Sequence, residues 1–168
     1  MKRLALASLI VAGSFASFNA FAVQKDITVV ADVDENIEML QADGSALPQT
    51  LRMNHLPGYG LQATSVQTKI FTNNVTKSMK IKLVAEPALT NMLNPSSPAV
   101  PLSVTYGGRA LTAATATALT AAELFSGQAA TGPGYSINQL LEITQTTAGT
   151  PEAGSYQGLV SVLLTQDP

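Results

Sequence analysis

The chain has 168 residues, no cysteine and one histidine, and its Lys, Arg, Asp and Glu amount to only 12 % of it, about half the ~25 % of ordinary soluble domains. The absence of cysteine removes thiol catalysis, disulfide frameworks and thiolate metal sites, and the lone His55, in the turn-rich run Asn54-His55-Leu56-Pro57-Gly58, argues against a histidine metal cluster or a serine triad and reads as an ordinary loop or strand-end histidine. The formal charge of −2 argues against nucleic acid as a partner and offers no basic patch to an anionic membrane.

Met1-Lys2-Arg3 supplies a positive start, residues 4–18 are apolar or small, and Ala20-Phe21-Ala22 has the small-x-small pattern that a signal peptidase cuts after. Residues 1–22 are therefore expected to be a secretory signal peptide cleaved between Ala22 and Val23, too short and wrongly flanked to span a membrane. No later segment has the ~18 consecutive apolar residues needed to cross a bilayer. Removing Lys2 and Arg3 leaves seven basic against eleven acidic residues, a net charge of −4 on one domain large enough to build a core without disulfides. Most of the polarity is Thr, Ser, Gln and Asn, a surface suited to packing against copies of itself.

From Val23 the chain alternates strictly. Val23, Lys25, Ile27, Val29, Ala31 and Val33 fall on one side, and Gln24, Asp26, Thr28, Val30, Asp32 and Asp34 on the other. This is the period of a strand with one buried face, and by periodicity alone it reads as an ordinary first strand of its own sandwich. Ile37, Met39 and Leu40 follow, then a turn at Asp43-Gly44. Residues 50–54 are expected as a short strand, and Pro57-Gly58-Tyr59-Gly60 as a loop.

Residues 66–72 and 78–84 alternate on either side of Asn73-Asn74. They predict a hairpin with Met79, Ile81 and Leu83 on the buried face and Lys80 and Lys82 in water. Glu86-Pro87-Ala88-Leu89 fits the start of a helical turn, and the proline-rich residues 94–101 a loop or strand edge. Residues 102–106, Gly107-Gly108 and 109–112 predict a second hairpin. The Ala/Thr-rich stretch 112–122 has no clear period. Thr120-Ala121-Ala122-Glu123 fits a capping box opening a short helix over 121–125. After a loop at 127–134, residues 139–144 predict a strand. Residues 154–165 predict one long terminal strand with Tyr156, Val160, Val162 and Leu164 on a shared face. Many short strands separated by turn signals imply an all-β sandwich.

Val23-Gln24-Lys25-Asp26-Ile27-Thr28-Val29, the block Leu40-Gln41-Ala42-Asp43-Gly44-Ser45-Ala46-Leu47-Pro48, the step from Thr72-Asn73-Asn74 into a lysine-bearing strand, and the ending Ala153-Gly154-Ser155-Tyr156-Gln157-Gly158-Leu159-Val160-Ser161 occur in that order. Together they resemble the major pilins of the alternate chaperone–usher pathway, the group of the colonization factor antigen I, coli surface antigen and cable pili. The resemblance implies an immunoglobulin-like sandwich (residues 35–168) lacking its final strand, completed by an N-terminal donor strand (residues 23–34) from the next subunit. It reverses the reading of the first strand: Val23, Lys25, Ile27, Val29, Ala31 and Val33 would form a donor face, with Lys25 reaching solvent or a partner.

Tyr156, Val160, Val162 and Leu164 are expected to line the acceptor groove. A periplasmic chaperone would contact the same end, including residues 165–168. The implied partners are copies of the chain in a fibre, that chaperone, an outer-membrane usher and a tip adhesin, with no cofactor, no nucleic acid and no membrane span. The implied destination, reached through the periplasm, is a cell-surface fimbria that attaches to host surfaces.

The alternatives are a tip adhesin or a secreted carbohydrate-binding sandwich. The adhesins of this pathway carry an extra receptor domain and accept a strand without offering one. An enzyme is not expected: Asp32, Asp34, Glu35 and Glu38 read as a solvated face, and no phosphate loop, nucleophile motif or paired metal ligands appear. Asn74-Val75-Thr76 matches a glycosylation acceptor by spacing only.

Overall fold

The computed structural model describes residues 37–127 and 131–168. Contacts divide the chain into Met1–Asp32 and Val33–Pro168, and every described residue belongs to the second unit. The described residues form a sandwich of strands with one four-residue helix.

The larger sheet is built around β4 (Thr64–Thr72), β11 (Gln139–Gln145) and β7 (Val100–Tyr106). It adds β1 (Ile37–Gln41) at one edge, and β6 (Ala88–Asn91) with β12 (Tyr156–Gln157) at the other, in the order β1-β4-β11-β7-β6-β12. Two short strands, β8 (Arg109–Leu111) and β10 (Gly134–Tyr135), pair with β7 and β4. The second sheet has three strands, β13 (Val162–Gln166), β5 (Met79–Leu83) and β9 (Thr117–Leu119), with β5 central. A small hairpin, β2 (His55–Leu56) with β3 (Gly60–Leu61), stands apart.

Alternation within each strand fills the space between the sheets. Thr68, Ile70, Val104, Tyr106, Leu141 and Ile143 come from one side, and Met79, Ile81, Leu83 and Leu119 from the other. Tyr106 is fully buried, with its phenolic oxygen 3.4 Å from the Thr68 hydroxyl, and burial pushes its pKa up to about 12. Among the described residues every buried side-chain nitrogen or oxygen has a hydrogen-bond partner.

Several sequence expectations hold. Gly107 and Gly108, at φ 55° and 77°, make the two-residue turn between β7 and β8. The capping box of α1 (Ala121–Leu124) is complete: Thr120 Oγ1 accepts from Glu123 N, and the Glu123 carboxylate accepts from Thr120 N. At the Asp43-Gly44 turn, hydrogen bonds from the Ser45 hydroxyl and backbone N–H hold the Asp43 carboxyl below its usual pKa.

Others are corrected. Residues 66–72 and 78–84 present the expected faces but do not form a hairpin, because β4 and β5 lie in opposite sheets. Buried Val75 anchors the connection in the core, its N–H bonded to Gly132 O, while Asn74 Oδ1 accepts from Thr76 N and Oγ1 to bend the chain across. Residues 86–89 do not start a helical turn. Pro87 O accepts from Leu102 N and Ala88 pairs with Pro101, so the segment enters β6 extended. Residues 50–54 form no strand, and the aperiodic 112–122 stretch contains β9.

The long terminal strand is broken in two. Its first part, β12, pairs with β6 of the larger sheet, and its second, β13, with β5 of the smaller one. Two glycines permit the crossing by letting the chain press against β6: a Cβ on Gly158 would lie 2.3 Å from Ala88 O, and one on Gly154 would lie 2.3–2.6 Å from the Asn91 side chain. Fully buried Asn91 is itself committed, its Oδ1 accepting from Leu93 N and Asn94 N. Gly154→Ala is therefore expected to cost about 1–3 kcal/mol, the range for overpacking a filled site, seen as a lower denaturation midpoint at unchanged slope.

Candidate strand-acceptor edge

β5 carries the buried stripe of the smaller sheet, and β13 covers one of its edges. Val162 pairs with Leu83, Leu164 with Ile81 and Gln166 with Met79, so these residues share the core-facing side. Leu163 and Thr165 lie opposite Lys82 and Lys80 on the outer side. Val160, Val162 and Leu164 are half-buried against the core, as are Ile37 and Met39 of β1.

β1 and β13 each end their own sheet, and they approach one another in space. Among the described residues neither has a strand on its outer edge. Two apolar-backed edges thus flank one mouth of the sandwich, each an outer row of backbone N–H and C=O groups with no strand paired to it among the described residues.

The C-terminal end of β13 is tied down. Asp167 N donates to Ser78 O, Lys80 Nζ lies 2.6 Å from Asp167 Oδ1, and Gln166 Nε2 donates to Asn74 O. Ser78 Oγ also accepts from Ala121 N, linking the strand end to α1. On α1, hydrogen bonding from Arg109, helped by the Thr120 hydroxyl and N–H, holds Glu123 down to a pKa of about 2.

Of the sequence-derived site residues, Val160, Val162 and Leu164 come together at this edge. Tyr156 does not join them. It sits on β12 at the far edge of the larger sheet, its hydroxyl donating to Glu152 O, beside an open depression of about 320 Å³ lined by Pro98, Pro151 and Glu152 among others. The physical reason is the switch of sheets between β12 and β13, which no alternation within 154–165 reveals. Val23, Lys25, Ile27, Val29, Ala31, Val33 and the cleavage residue Ala22 lie outside the described residues. Ile37 and Met39 were missed as edge residues; their period-two spacing was visible, but not their place at the mouth.

The fold is that of a pilin. The solved structure of the CooA pilin subunit from enterotoxigenic Escherichia coli superposes with a TM-score of 0.67 at 34 % identity, covering 77 % of this chain and 86 % of that one. The chain belongs to the CS1 type fimbrial major subunit family, whose model matches residues 23–165. It is similar to a CFA/I fimbrial subunit of Escherichia coli, 40 % identical over 154 residues (90 % of this chain, 89 % of the relative). It is also similar to a CS1 fimbrial subunit of Escherichia coli, 36 % identical over 167 residues (97 % and 94 %). It is a structural subunit of a surface fimbria. No helix of the described residues is long and apolar enough to cross a membrane.

A carboxylate whose folded pKa lies below its ordinary 4.5 adds stability that is present above pH 4.5 and lost as pH falls from there through about 2. Side-chain NMR should place the Glu123 midpoint near 2, and Arg109→Ala should return it toward 4.5.

Proposed function

We propose that the chain polymerises by strand addition, the interaction of which chaperone–pilin donor-strand complementation is a standard instance. The donor segment 23–34 of one copy would occupy the mouth between β1 and β13 of the next. The observation that carries this reading is the pair of edges without a strand partner among the described residues, backed by Ile37, Met39, Val160, Val162 and Leu164. Val23, Lys25, Ile27, Val29, Ala31 and Val33 would face inward. Three buried Ile or Val side chains at ~1.5–3 kcal/mol each contribute about 5–9 kcal/mol gross. Each ladder hydrogen bond adds ~0.5–1.5 kcal/mol.

An apolar edge without a partner aggregates. A periplasmic chaperone holding it until an outer-membrane usher exchanges it for the donor strand is the physical counterpart of that hazard. Export would follow removal of residues 1–22 between Ala22 and Val23. One observation supports this boundary: the family match begins at residue 23. The fibre, with a tip adhesin, would attach the cell to host surfaces. The role is structural rather than catalytic.

Deleting residues 23–33 behind the signal is expected to leave export and chaperone binding intact and to abolish fibres in electron micrographs. Normal fibres from that variant would remove strand addition as the assembly mechanism.

A further inference from the structure

We infer that the alignment of the donor strand on β13 is selected by one polar pair, Lys25 of one copy against Gln166 of the next. The inference rests on the strand-addition reading and adds the register to it.

The core-facing positions at the acceptor edge are Val160, Val162, Leu164 and Gln166, three apolar residues and then one amide at the C-terminal end. Gln166 is half-buried and pairs with fully buried Met79, so it faces inward. Its Nε2 donates one hydrogen to Asn74 O at 3.3 Å, and the atom with which it can accept from a cation on an incoming strand is its carbonyl oxygen Oε1. The donor face, Val23, Lys25, Ile27, Val29, Ala31 and Val33, carries a single cation near its N-terminal end. Each set holds one polar residue among apolar ones, at the same two-residue spacing.

Residues directly opposite across a ladder share a face, and a slip of two keeps the face while changing every partner. With the strands antiparallel and Lys25 opposite Gln166, Ile27 meets Leu164, Val29 meets Val162 and Ala31 meets Val160. Moving the donor by two residues one way sets the ammonium on Leu164. Moving it the other way sets Ile27 on Gln166 and carries Lys25 past the strand. In every parallel alignment that fills the apolar positions, Gln166 faces Val29, Ala31 or Val33, and Lys25 meets no polar inward residue of β13. A half-buried ammonium without an acceptor and an amide facing aliphatic carbon both cost free energy, so along β13 a single alignment satisfies both groups. Lys25 adds little to affinity here; it raises the energy of the wrong registers, which is how a polar residue confers specificity.

Register is read directly by cross-linking, since the chain has no cysteine of its own. Opposed Cβ atoms lie about 4.5–5.5 Å apart and diagonal ones about 7–8 Å, while a disulfide spans about 3.5–4.5 Å. The outward positions Thr28 and Leu163 are opposite in the inferred alignment. Fibres carrying Thr28→Cys with Leu163→Cys should run as a ladder of linked subunits on non-reducing denaturing gels. Thr28→Cys with Thr165→Cys, and Asp26→Cys with Leu163→Cys, report the two slipped registers and should give monomer. A ladder from either slipped pair in place of the first overturns the register while leaving strand addition standing. Intact fibres with no ladder from any pair overturn the register, and the deletion of residues 23–33 decides strand addition separately.

A second measurement covers variants that fail to assemble. Gln166→Leu should lower the temperature at which fibres dissociate in detergent, and adding Lys25→Leu should reverse the fall. Additive effects of the two changes would mean that the residues do not meet.

Discussion

The pairing of β13 with β5 is the interaction on which the rest of the molecule depends. Met79, Ile81 and Leu83 are almost wholly withdrawn from water, and a central strand so buried must have both edges covered. The three-residue β9 covers part of one edge and the five-residue β13 covers the other. Through Val162 and Leu164, β13 extends the core to the mouth of the sandwich and there presents its own outer edge. Under the proposed strand addition, closing the core and offering an edge to a strand are two consequences of one ladder, and stability and assembly would be coupled.

The two sheets divide the labour unequally. The eight-stranded sheet has its centre, β4-β11-β7, paired on both sides, and carries the turns and short strands at its periphery. Among the described residues the smaller sheet has three strands and ends at β13. Hydrogen bonds from Asp167 to Ser78 and from Gln166 to Asn74, with the Lys80–Asp167 ion pair, hold the far end of β13 against the crossover that brings the chain from one sheet to the other. An exposed ion pair contributes little by itself. Its value here is positional: it sits where a strand end would otherwise fray and where the inward row of the edge turns from apolar to polar. The scarcity of charge elsewhere fits the proposed packing against copies of the same chain.

Faces were legible in the sequence; partners were not. Met79, Ile81 and Leu83 lie inside and Lys80 and Lys82 outside, as alternation required, because side-chain direction in a strand is set by backbone geometry within that strand. The Gly107-Gly108 turn and the Thr120–Glu123 capping box were equally readable, since each is made by residues a few positions apart. The β4–β5 hairpin failed for the opposite reason. Its two strands had the right faces and a plausible turn, but whether they pair or part is decided by Val75 entering a core assembled from distant strands. Tyr156 was misplaced likewise, because nothing in 154–165 reveals that Gly154 and Gly158 press on β6 while Val162 and Leu164 belong to β5.

The sequence by itself thus determined an all-β sandwich, the inward residues of most of its strands and, through ordered local blocks, the fimbrial family. Those properties reside in short stretches of chain whose chemistry is local. Only the tertiary structure decided which strands share a sheet, that β1 and β13 meet as edges at one mouth, and that Gln166 rather than Tyr156 completes the inward row. These depend on contacts between residues far apart in the chain, formed only when the two sheets close on a common core.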